Sequence, residues 1–510
     1  MMLAKILSGA VVGLEAIPVI VEVDISSQSL PSFTIVGLPD KAVEESRERV
    51  RSAIKNSGAE FPDHRITVNL APADLPKVGP AYDLPIAVGM LIASGQLVLP
   101  KDGGLFVGEL SLDGGLRHTN GILPLVMMAK EKRIADAIYV PSLDAREAAI
   151  IDRIHVYPVP SLLGLFHHFT GSERITPYPF VKFRSLGVPL GFEFDLVDVA
   201  GQEQVKRALE IAAAGAHNVF MQGPPGAGKT MLARCLPSIL PSMTEEEALE
   251  VTKIYSVTGN LPAGESVIKY RPFRSPHHTT SRIGLIGGGT HPAPGEISLA
   301  HRGVLFLDEF PEYPRHVLEA LRQPIEDGVV SISRAVGSVR YPAKFMLVAA
   351  ANPCPCGNFR STTRACTCLP GMVTRYQKRI SGPIIDRIDL HVHVPAVPTE
   401  KLSTGKSNAE SSNVVRKRVQ KARDKQLARF KKDTITANAE MSTRQVKAYC
   451  PLAGNVEHFL RQAAARFTLS ARSYYRVIKV ARTIADLAGE KHILVAHVAE
   501  ALQYRPKEDV

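Results

Sequence analysis

The sequence lacks any uninterrupted apolar run of about 18 residues, the minimum that a membrane-spanning helix requires. No transmembrane segment is therefore expected, and the chain is expected to be cytoplasmic. Residues 1–23 carry a lysine and an apolar stretch, as a signal peptide does, but Glu15 and Pro18 interrupt it. The alternation of Val19, Val21 and Val23 with acidic residues predicts a strand instead.

Cysteine is scarce and unevenly distributed, which argues against a disulfide framework. Four of the six cysteines crowd into one short segment, namely Cys354, Cys356, Cys366 and Cys368. Two Cys-X-Cys pairs could supply four thiolates to a tetrahedral zinc ion and close a knuckle that has no core of its own. The spacing departs from the common Cys-X-X-Cys pattern, so reduced loop cysteines are the alternative.

Acidic residues are outnumbered: 61 Lys and Arg face 50 Asp and Glu, a net charge of +11. This balance favours a polyanionic partner, either nucleic acid or an anionic membrane surface, without choosing between them. The length of 510 residues and the hydrophobic fraction of 45% are sufficient for packed cores. We expect about three domains and no extensive disorder.

The most specific motif is a glycine-rich octapeptide between an apolar run, 219–221, and a helix-like segment. It consists of Gly223, Pro224, Pro225, Gly226, Ala227, Gly228, Lys229 and Thr230. Glycines here let backbone N–H groups face phosphates, Lys229 can reach the β and γ oxygens, and Thr230 can offer a hydroxyl to Mg²⁺. The N-terminus of the following helix adds to the same anion site. The segment predicts binding of ATP or GTP with Mg²⁺.

A second motif is the apolar run 304–307, which ends in Asp308 and Glu309. It has the pattern of a buried parallel strand and of a Walker B motif. Asp308 is predicted to hold Mg²⁺ through its water shell, and Glu309 to orient and polarise the water that attacks the γ-phosphate. The presence of both carboxylates predicts an ATPase rather than a binding-only site.

Composition and periodicity predict an α/β multidomain protein. Strands are expected at 19–24, 32–36 and 66–70, and a helix at 41–55. The predicted domain boundaries are 1–170 for an N-terminal domain, 171–194 for a linker, 195–398 for the ATPase core, 399–440 for a basic linker and helix, and 441–510 for a helical domain.

Several segments together resemble the ComM/YifB family of Mg-chelatase-like AAA+ ATPases. In the core these are GQEQVKRALEIAAAGAHNVFMQGPPGAGKT, AHRGVLFLDEF, AANPCPCGN and ISGPIIDRIDLHV, and the N-terminal ones are FTIVGLPDKAVEESRERVRSAI and RITVNLAPADLPKVGPAYDLPIA. The resemblance covers almost the whole chain. It implies an AAA+ core of Mg-chelatase type, a C-terminal α-helical lid, and a homohexameric ring with ATP bound between subunits.

The same resemblance implies roles for three further residues. Asn352, at the end of the apolar strand 345–351, matches the sensor that positions the attacking water. Arg387 matches the arginine finger that reaches a neighbouring subunit's γ-phosphate. Arg472 matches the sensor on the helical lid.

The N-terminal region also resembles the S5-like α+β fold of Lon-type peptidase domains, through residues 76–81 and 108–114. In Lon a serine nucleophile follows the Gly-Pro pair and a lysine partner follows later, whereas this chain has Ala81 and Leu123. A dyad without an oxygen nucleophile or an amine cannot transfer acyl groups. We expect no peptidase activity, and instead a role in DNA binding or ring assembly.

Two insertions in the core are suited to the central channel of a ring. One contains Arg274 and Arg282 among flexible glycines, and the other is predicted to be a β-hairpin over 329–343 that exposes Arg334 and Arg340. Six copies of each cation would form a track for DNA phosphates. The alternative is a pair of surface loops with incidental arginines.

A third basic segment, 414–432, is predicted to be a helix that either grips duplex phosphates or is a solvated charged face. The chain has no tryptophan and no visible pattern for reading bases. DNA binding is therefore expected to depend on backbone shape and salt rather than on sequence.

The resemblance implies a DNA motor that uses ATP hydrolysis for helicase and branch-migration activity during natural transformation. Its expected partners are single-stranded and branched DNA and a recombinase, with no membrane. Three other functions stay open at this point. They are a protein-remodelling ATPase with an inactive Lon-like domain, a Mg-chelatase-type motor subunit, and a nucleotide-gated DNA-binding scaffold.

Overall fold

The computed structural model describes residues 3–26, 30–98, 103–183, 191–262, 265–289, 292–334, 337–360, 364–397 and 410–506. The chain forms two compact units: unit 1 comprises Met1–Val188 and Glu245–Ile268, and unit 2 comprises Pro189–Thr244 and Lys269–Val510. Glu245–Ile268 lies between the two nucleotide motifs in sequence but folds with unit 1. The chain therefore passes from one unit to the other at 188/189, 244/245 and 268/269.

The strands and helices follow one another along both units. The strands are β1 Ala4–Val12, β2 Glu15–Ser26, β3 Ser32–Val36, β4 Arg65–Ala71, β5 Leu105–Phe106, β6 Glu109–Leu110, β7 Leu116–Arg117, β8 Ala137–Pro141, β9 His155–Val159, β10 Val219–Gln222, β11 Phe273–Arg274, β12 Gly287–Gly288, β13 Ala293–Pro294, β14 Val304–Leu307, β15 Val329–Arg334, β16 Gly337–Pro342, β17 Met346–Ala351 and β18 Leu390–His393. The helices are α1 Lys41–Glu44, α2 Ser46–Asn56, α3 Asp83–Ala93, α4 Ile122–Lys132, α5 Ala145–Ala148, α6 Leu162–Thr170, α7 Glu203–Gly215, α8 Lys229–Ile239, α9 Glu245–Val257, α10 Arg282–Ile286, α11 Glu296–Leu299, α12 Arg315–Glu319, α13 Arg322–Asp327, α14 Pro370–Gln377, α15 Gly382–Ile385, α16 Ser412–Arg429, α17 Thr443–Tyr449, α18 Gly454–Arg466, α19 Ala471–Ala488 and α20 Val495–Gln503.

Unit 1 is built on a mixed sheet in the order β3-β4-β2-β1-β5-β8-β9. The predicted strands at 19–24, 32–36 and 66–70 lie in β2, β3 and β4, so these predictions are confirmed. Alternate side chains of a strand point to opposite faces. Accordingly Ala4 and Ile6 of β1 belong to one apolar cluster, whereas Leu7 packs against another.

The predicted helix over 41–55 is wrong in one respect, because the structure divides it at Glu45 into α1 and α2. The Asp40 side chain caps α1 by accepting a hydrogen bond from the Val43 N–H, at 2.8 Å. In α2, Ser46 and Arg49 both bind the buried carboxylate of Asp83. These long-range bonds hold the first turn of α2 against the first residue of α3.

Unit 2 contains a parallel sheet in the order β11-β14-β17-β10-β18. The central strands β14 and β17 are fully buried, as their near-continuous apolar sequences predict. The segments that follow β10, β14 and β17 all leave from the same edge of this sheet. In open parallel sheets the carboxyl ends of the strands are where ligands bind.

The C-terminal part of unit 2 is helical, as predicted, and α17 to α20 contribute Val446, Leu460, Ile484 and Val498 to the core. The predicted basic helix is confirmed as α16, and its exposed Lys417 and Lys421 are compatible with either interpretation, but two of its arginines are not. Arg423 is buried and donates to the Ala214 carbonyl at the end of α7, at 3.1 and 3.2 Å, so it stabilises the negative end of that helix.

A second arginine of α16 is also engaged inside unit 2, since Arg429 pairs with the carboxylate of Asp486. These two guanidinium groups of the basic helix are therefore structural, and neither solvated nor turned to a phosphate. Separately, the described part of the chain contains no helix that combines the length and the apolarity needed to cross a bilayer.

Candidate nucleotide site

The glycine-rich octapeptide forms the turn between β10 and α8. Gly226 and Gly228 have φ of +76° and +86°, in the left-handed region that favours glycine. An added Cβ at either position would meet no atom within 4 Å, so this side of the loop is open. Because α8 begins at Lys229, its unbonded N–H groups belong to the same site. The loop fits a phosphate.

The Lys229 ammonium group lies inside this turn. It donates to the carbonyl oxygens of Gly223 and Pro224, at 2.8 and 2.9 Å, and to Oδ1 of Asn352, at 3.0 Å. Burial lowers the pKa of Lys229 below its ordinary value. A largely buried cation with neutral hydrogen-bond partners is a strong site for an anion. The predicted residues Lys229 and Asn352 are thus brought together from the start of α8 and the end of β17.

The predicted magnesium ligands are also adjacent. Thr230 Oγ1 donates to Asp308 Oδ2 at 2.6 Å, although the residues are 78 positions apart in sequence. A hydroxyl and a carboxylate are the hard oxygen donors that Mg²⁺ prefers. The donor set present here therefore fits that ion.

Glu309 has an unusual backbone and an unpredicted partner. Its φ is +49°, in the left-handed region, and its N–H donates to Asp308 Oδ1 at 2.9 Å. Its carboxylate lies 3.2 Å from Nδ1 of His278, measured to Oε2. His278 comes from the insertion before the Walker B strand, and no sequence spacing connects it with Glu309.

The two arginines implied by the family resemblance meet on one carboxylate. Arg387 Nε donates to Glu326 Oε2 at 3.0 Å, and Arg472 donates to Glu326 Oε1. The hydrogen bond from Arg387 is the main reason that the pKa of Glu326 lies below its ordinary value. Among the described residues, the acceptors of these two guanidinium groups are Glu326 and the Pro383 carbonyl, and not Glu309. Sequence reasoning found both arginines but not Glu326.

A further arginine, Arg476, links the C-terminal helix α19 to the turn that carries Arg387. Its Nε lies 3.3 Å from Oδ1 of Asp389, and this carboxylate also contacts Nδ1 of His217 at 3.2 Å. Burial alone would raise the pKa of Asp389, but the His217 hydrogen bond and the neighbouring cations keep it below its ordinary value. The only sequence signal for Arg476 was its spacing of four residues from Arg472, which places both arginines on one face of a helix.

The four clustered cysteines come together in space. Their Sγ atoms all lie within 4.8 Å of one another, and three of the separations are 3.4, 3.6 and 3.7 Å. Four thiolates about 2.3 Å from a tetrahedral zinc ion would be about 3.8 Å apart. Backbone N–H donation from Asn358 and Thr367 lowers the pKa of Cys356 to about 5. The donor set fits zinc.

The candidate DNA-binding arginines differ in their surroundings. Arg282 is exposed at the start of α10, and Arg340 is exposed on β16. Arg274 instead donates to both carboxylate oxygens of Glu296, at 2.6 and 2.7 Å. The predicted hairpin over 329–343 is confirmed as β15 and β16. The side chain of Arg334 lies outside the described residues.

In unit 1, the two positions that the predicted resemblance aligns with the Lon dyad are occupied by Ala81 and Leu123. Leu123 is fully buried in an apolar cluster, and Ala81 packs against the same cluster. The two positions are thus close to one apolar core, which is an unsuitable setting for nucleophilic catalysis.

Comparison with known proteins assigns most of the chain. The family model for magnesium chelatase, subunit ChlI, matches residues 195–402, and the model for the C-terminal part of that subunit matches residues 409–505. A third model, for subunit ChlI of Mg-chelatase, matches residues 21–143. The architecture is therefore Mg-chelatase-like, with mixed α/β content and a C-terminal helical region.

Relatives that match almost the whole chain identify the family more closely. The chain is 44% identical over 508 residues to the competence protein ComM of Haemophilus influenzae. The matched region covers 99% of this chain and 98% of the relative. It is 43% identical to the YifB protein of Escherichia coli, over 99% of this chain and 97% of the relative. The magnesium-chelatase 38 kDa subunit of Rhodobacter capsulatus is 28% identical over only 31% of this chain. The chain therefore belongs to the ComM/YifB family of Mg-chelatase-like AAA+ proteins, a membership that implies ATPase activity.

Proposed function

We propose that this protein is an ATP-driven DNA motor that performs helicase and branch-migration work on recombination intermediates during natural transformation. The proposal is carried by full-length similarity to a protein named for competence. The magnesium-chelatase subunits match a much smaller share of the chain, so metal insertion into a tetrapyrrole is not our proposal. The motor would act in the cytoplasm on single-stranded and branched DNA, with a recombinase as its candidate partner.

In this proposal each residue of the site has a separate role in ATP hydrolysis. Lys229 and the loop N–H groups bind the phosphates of ATP, while Thr230 and Asp308 hold Mg²⁺. The ion, when bound, neutralises charge on the phosphate oxygens. Glu309 orients and polarises the attacking water, and Asn352, already bonded to Lys229, helps to position that water.

We assign Arg387 and Arg472 to the nucleotide of a neighbouring subunit in a homohexameric ring. Their shared contact with Glu326 supports a joint action on one anionic group. A γ-phosphate carries more negative charge than the carboxylate, so it can compete for both guanidinium groups. Arg387 would be the arginine finger, and Arg472 would act beside it.

DNA would be held by cations of the two insertions. Arg282 and Arg340 are exposed and suited to phosphate contacts, and we place Arg334 with them because it lies on the same hairpin. Arg274 is paired with Glu296, so we assign it to the shape of its insertion. For unit 1 we propose a Lon-type fold without peptidase activity that binds DNA or assists ring assembly.

The direct test is the ATPase rate with single-stranded DNA, forked DNA, Holliday junctions or casein, each at several salt concentrations. DNA should raise the rate, and its half-saturating concentration should rise by about 10³-fold or more between 50 and 200 mM salt if six or more phosphates are contacted. Casein should have no effect. Stimulation by casein but not by DNA would instead identify a protein-remodelling ATPase.

We also propose that the four-cysteine cluster holds one structural zinc ion. Elemental analysis of purified protein should find about one zinc per chain, as expected for a closed four-thiolate site. Cys366→Ser should lose most of it. The matched control is Cys450→Ala, which removes a buried cysteine outside the cluster and should retain zinc. Protein without bound metal would reject the proposal.

A further inference from the structure

The four-cysteine cluster lies directly against the phosphate-binding loop. Gly357, inside the cluster segment, has a φ of +79°, and a Cβ added there would overlap Cδ of Pro225 and lie 2.9 Å from its Cγ. Pro225 is the third residue of the octapeptide. The backbone of the cysteine segment therefore supports this loop from outside, with no room for a side chain between them.

The same segment also reaches the site through Asn352. This residue, whose Oδ1 accepts from Lys229, stands two positions before the buried Cys354. Between Cys354 and Gly357 the chain makes a tight turn, closed by a hydrogen bond of 2.9 Å from Gly357 N–H to the Cys354 carbonyl. This short segment thus makes two contacts with the phosphate loop, one between Gly357 and Pro225 and one between Asn352 and Lys229.

The shape of this turn depends on contacts with the second pair of cysteines, Cys366 and Cys368. Cys366 Sγ lies 3.7 Å from Cys354 Sγ and 3.6 Å from Cys356 Sγ, and the Cys356 N–H donates to Cys368 Sγ at 3.4 Å. Of the four cysteines only Cys354 is buried. Because the other three cysteines are only partly buried, a bound ion would be the main link between the two cysteine pairs.

We propose that zinc binding by the four cysteines and nucleotide binding by the phosphate loop are coupled. Zinc holds the turn 354–357 against Pro225 and keeps Asn352 directed to Lys229, so the loop is preorganised for phosphate. By linkage, nucleotide must then increase the affinity for zinc by the same factor. This inference rests on the nucleotide and zinc sites proposed above, and not on the DNA-motor function.

The test begins with Cys356→Ser, which should lose zinc. Its dissociation constant for a fluorescent ATP analogue should rise about tenfold, within the usual range of coupling between two sites. The thermal unfolding curve should still show a folded protein. Cys450→Ala, the matched control, should keep both zinc and nucleotide affinity. Wild-type affinity in a folded, zinc-free Cys356→Ser protein would overturn the coupling.

Gly357→Ala tests the contact between Gly357 and Pro225 separately from zinc binding. It leaves four thiols in place, so zinc should stay bound, but its Cβ collides with Pro225 and its φ becomes strained. Nucleotide affinity should therefore fall by about the same factor as in Cys356→Ser. Unchanged affinity in a protein that retains zinc would contradict the proposed contact.

Unmodified protein provides the reciprocal measurement. In an equilibrium titration against a competing chromogenic chelator, the affinity for zinc should be about tenfold higher when a non-hydrolysable ATP analogue is bound. Equal zinc affinities with and without the analogue would overturn the coupling. Lys229→Ala, which should not bind the analogue, should show no such increase. A failure of DNA to stimulate ATP turnover would leave these results unaffected, so the two proposals can fail separately.

Discussion

Replacing Glu309 with glutamine is expected to reduce ATP turnover by about 10²–10⁴-fold, the usual loss when a general base is removed. Nucleotide binding should persist, because Lys229, Thr230 and Asp308 are unchanged. The amide has the same size as the carboxylate but cannot polarise water in the same way. Phosphate release in a single turnover measures the first effect, and titration with a fluorescent ATP analogue measures the second.

The control for this experiment is Lys229→Ala, which should lose nucleotide affinity, since it removes the cation inside the loop. The Glu309→Gln protein should accumulate as a ring in the presence of ATP, because hydrolysis no longer disperses the subunits, and light scattering can follow this. Hydrolysis at the wild-type rate would show that Glu309 has been assigned the wrong role.

Arg387→Ala is expected to produce the second large effect, a loss of about 10³–10⁵-fold in turnover, as for other arginine fingers. Binding of ATP should change little, because Arg387 contacts Glu326 and the Pro383 carbonyl rather than the phosphate loop of its own chain. The steady-state ATPase rate and the nucleotide dissociation constant should be measured together. Arg379→Ala is a suitable control, since it removes an exposed arginine that also pairs with a glutamate, Glu312.

Mixing the inactive variants distinguishes an active site formed by two subunits from one formed within a single subunit. Arg387→Ala subunits retain an intact loop, and Lys229→Ala subunits retain an intact finger. Some of their interfaces in a mixed ring would combine the two intact halves, so turnover should partly recover. A mixture as inactive as its components, in rings shown to contain both, would contradict action of Arg387 across a subunit interface.

The local parts of the nucleotide site were predictable because each depends on residues close in sequence. A glycine-rich turn between a strand and a helix has few structural alternatives, and the predicted element around Gly223–Thr230 is confirmed. The strand that ends before Asp308 was equally clear from its continuous apolar run. The family resemblance then pointed to Asn352, which the structure brings within 3.0 Å of Lys229.

The partners of these residues were not predictable in the same way. Glu326 joins two arginines that are 85 positions apart, and His278 reaches Glu309 from a separate insertion. The basic sequence of α16 was compatible with phosphate binding, yet Arg423 is buried against the end of α7. Each of these contacts depends on how distant segments pack, and residue type alone carries no signal of that packing.

By itself, then, the sequence determined the chemistry that is available here: a phosphate loop with its lysine, two carboxylates after a buried strand, four clustered thiols and two arginines. These follow from local backbone preferences and from the donor groups of the side chains. Only the tertiary structure decided which of them meet. It placed Glu245–Ile268 in unit 1, both arginines on Glu326, and Gly357 against Pro225, because close packing of distant segments selects contacts that no spacing along the chain can encode.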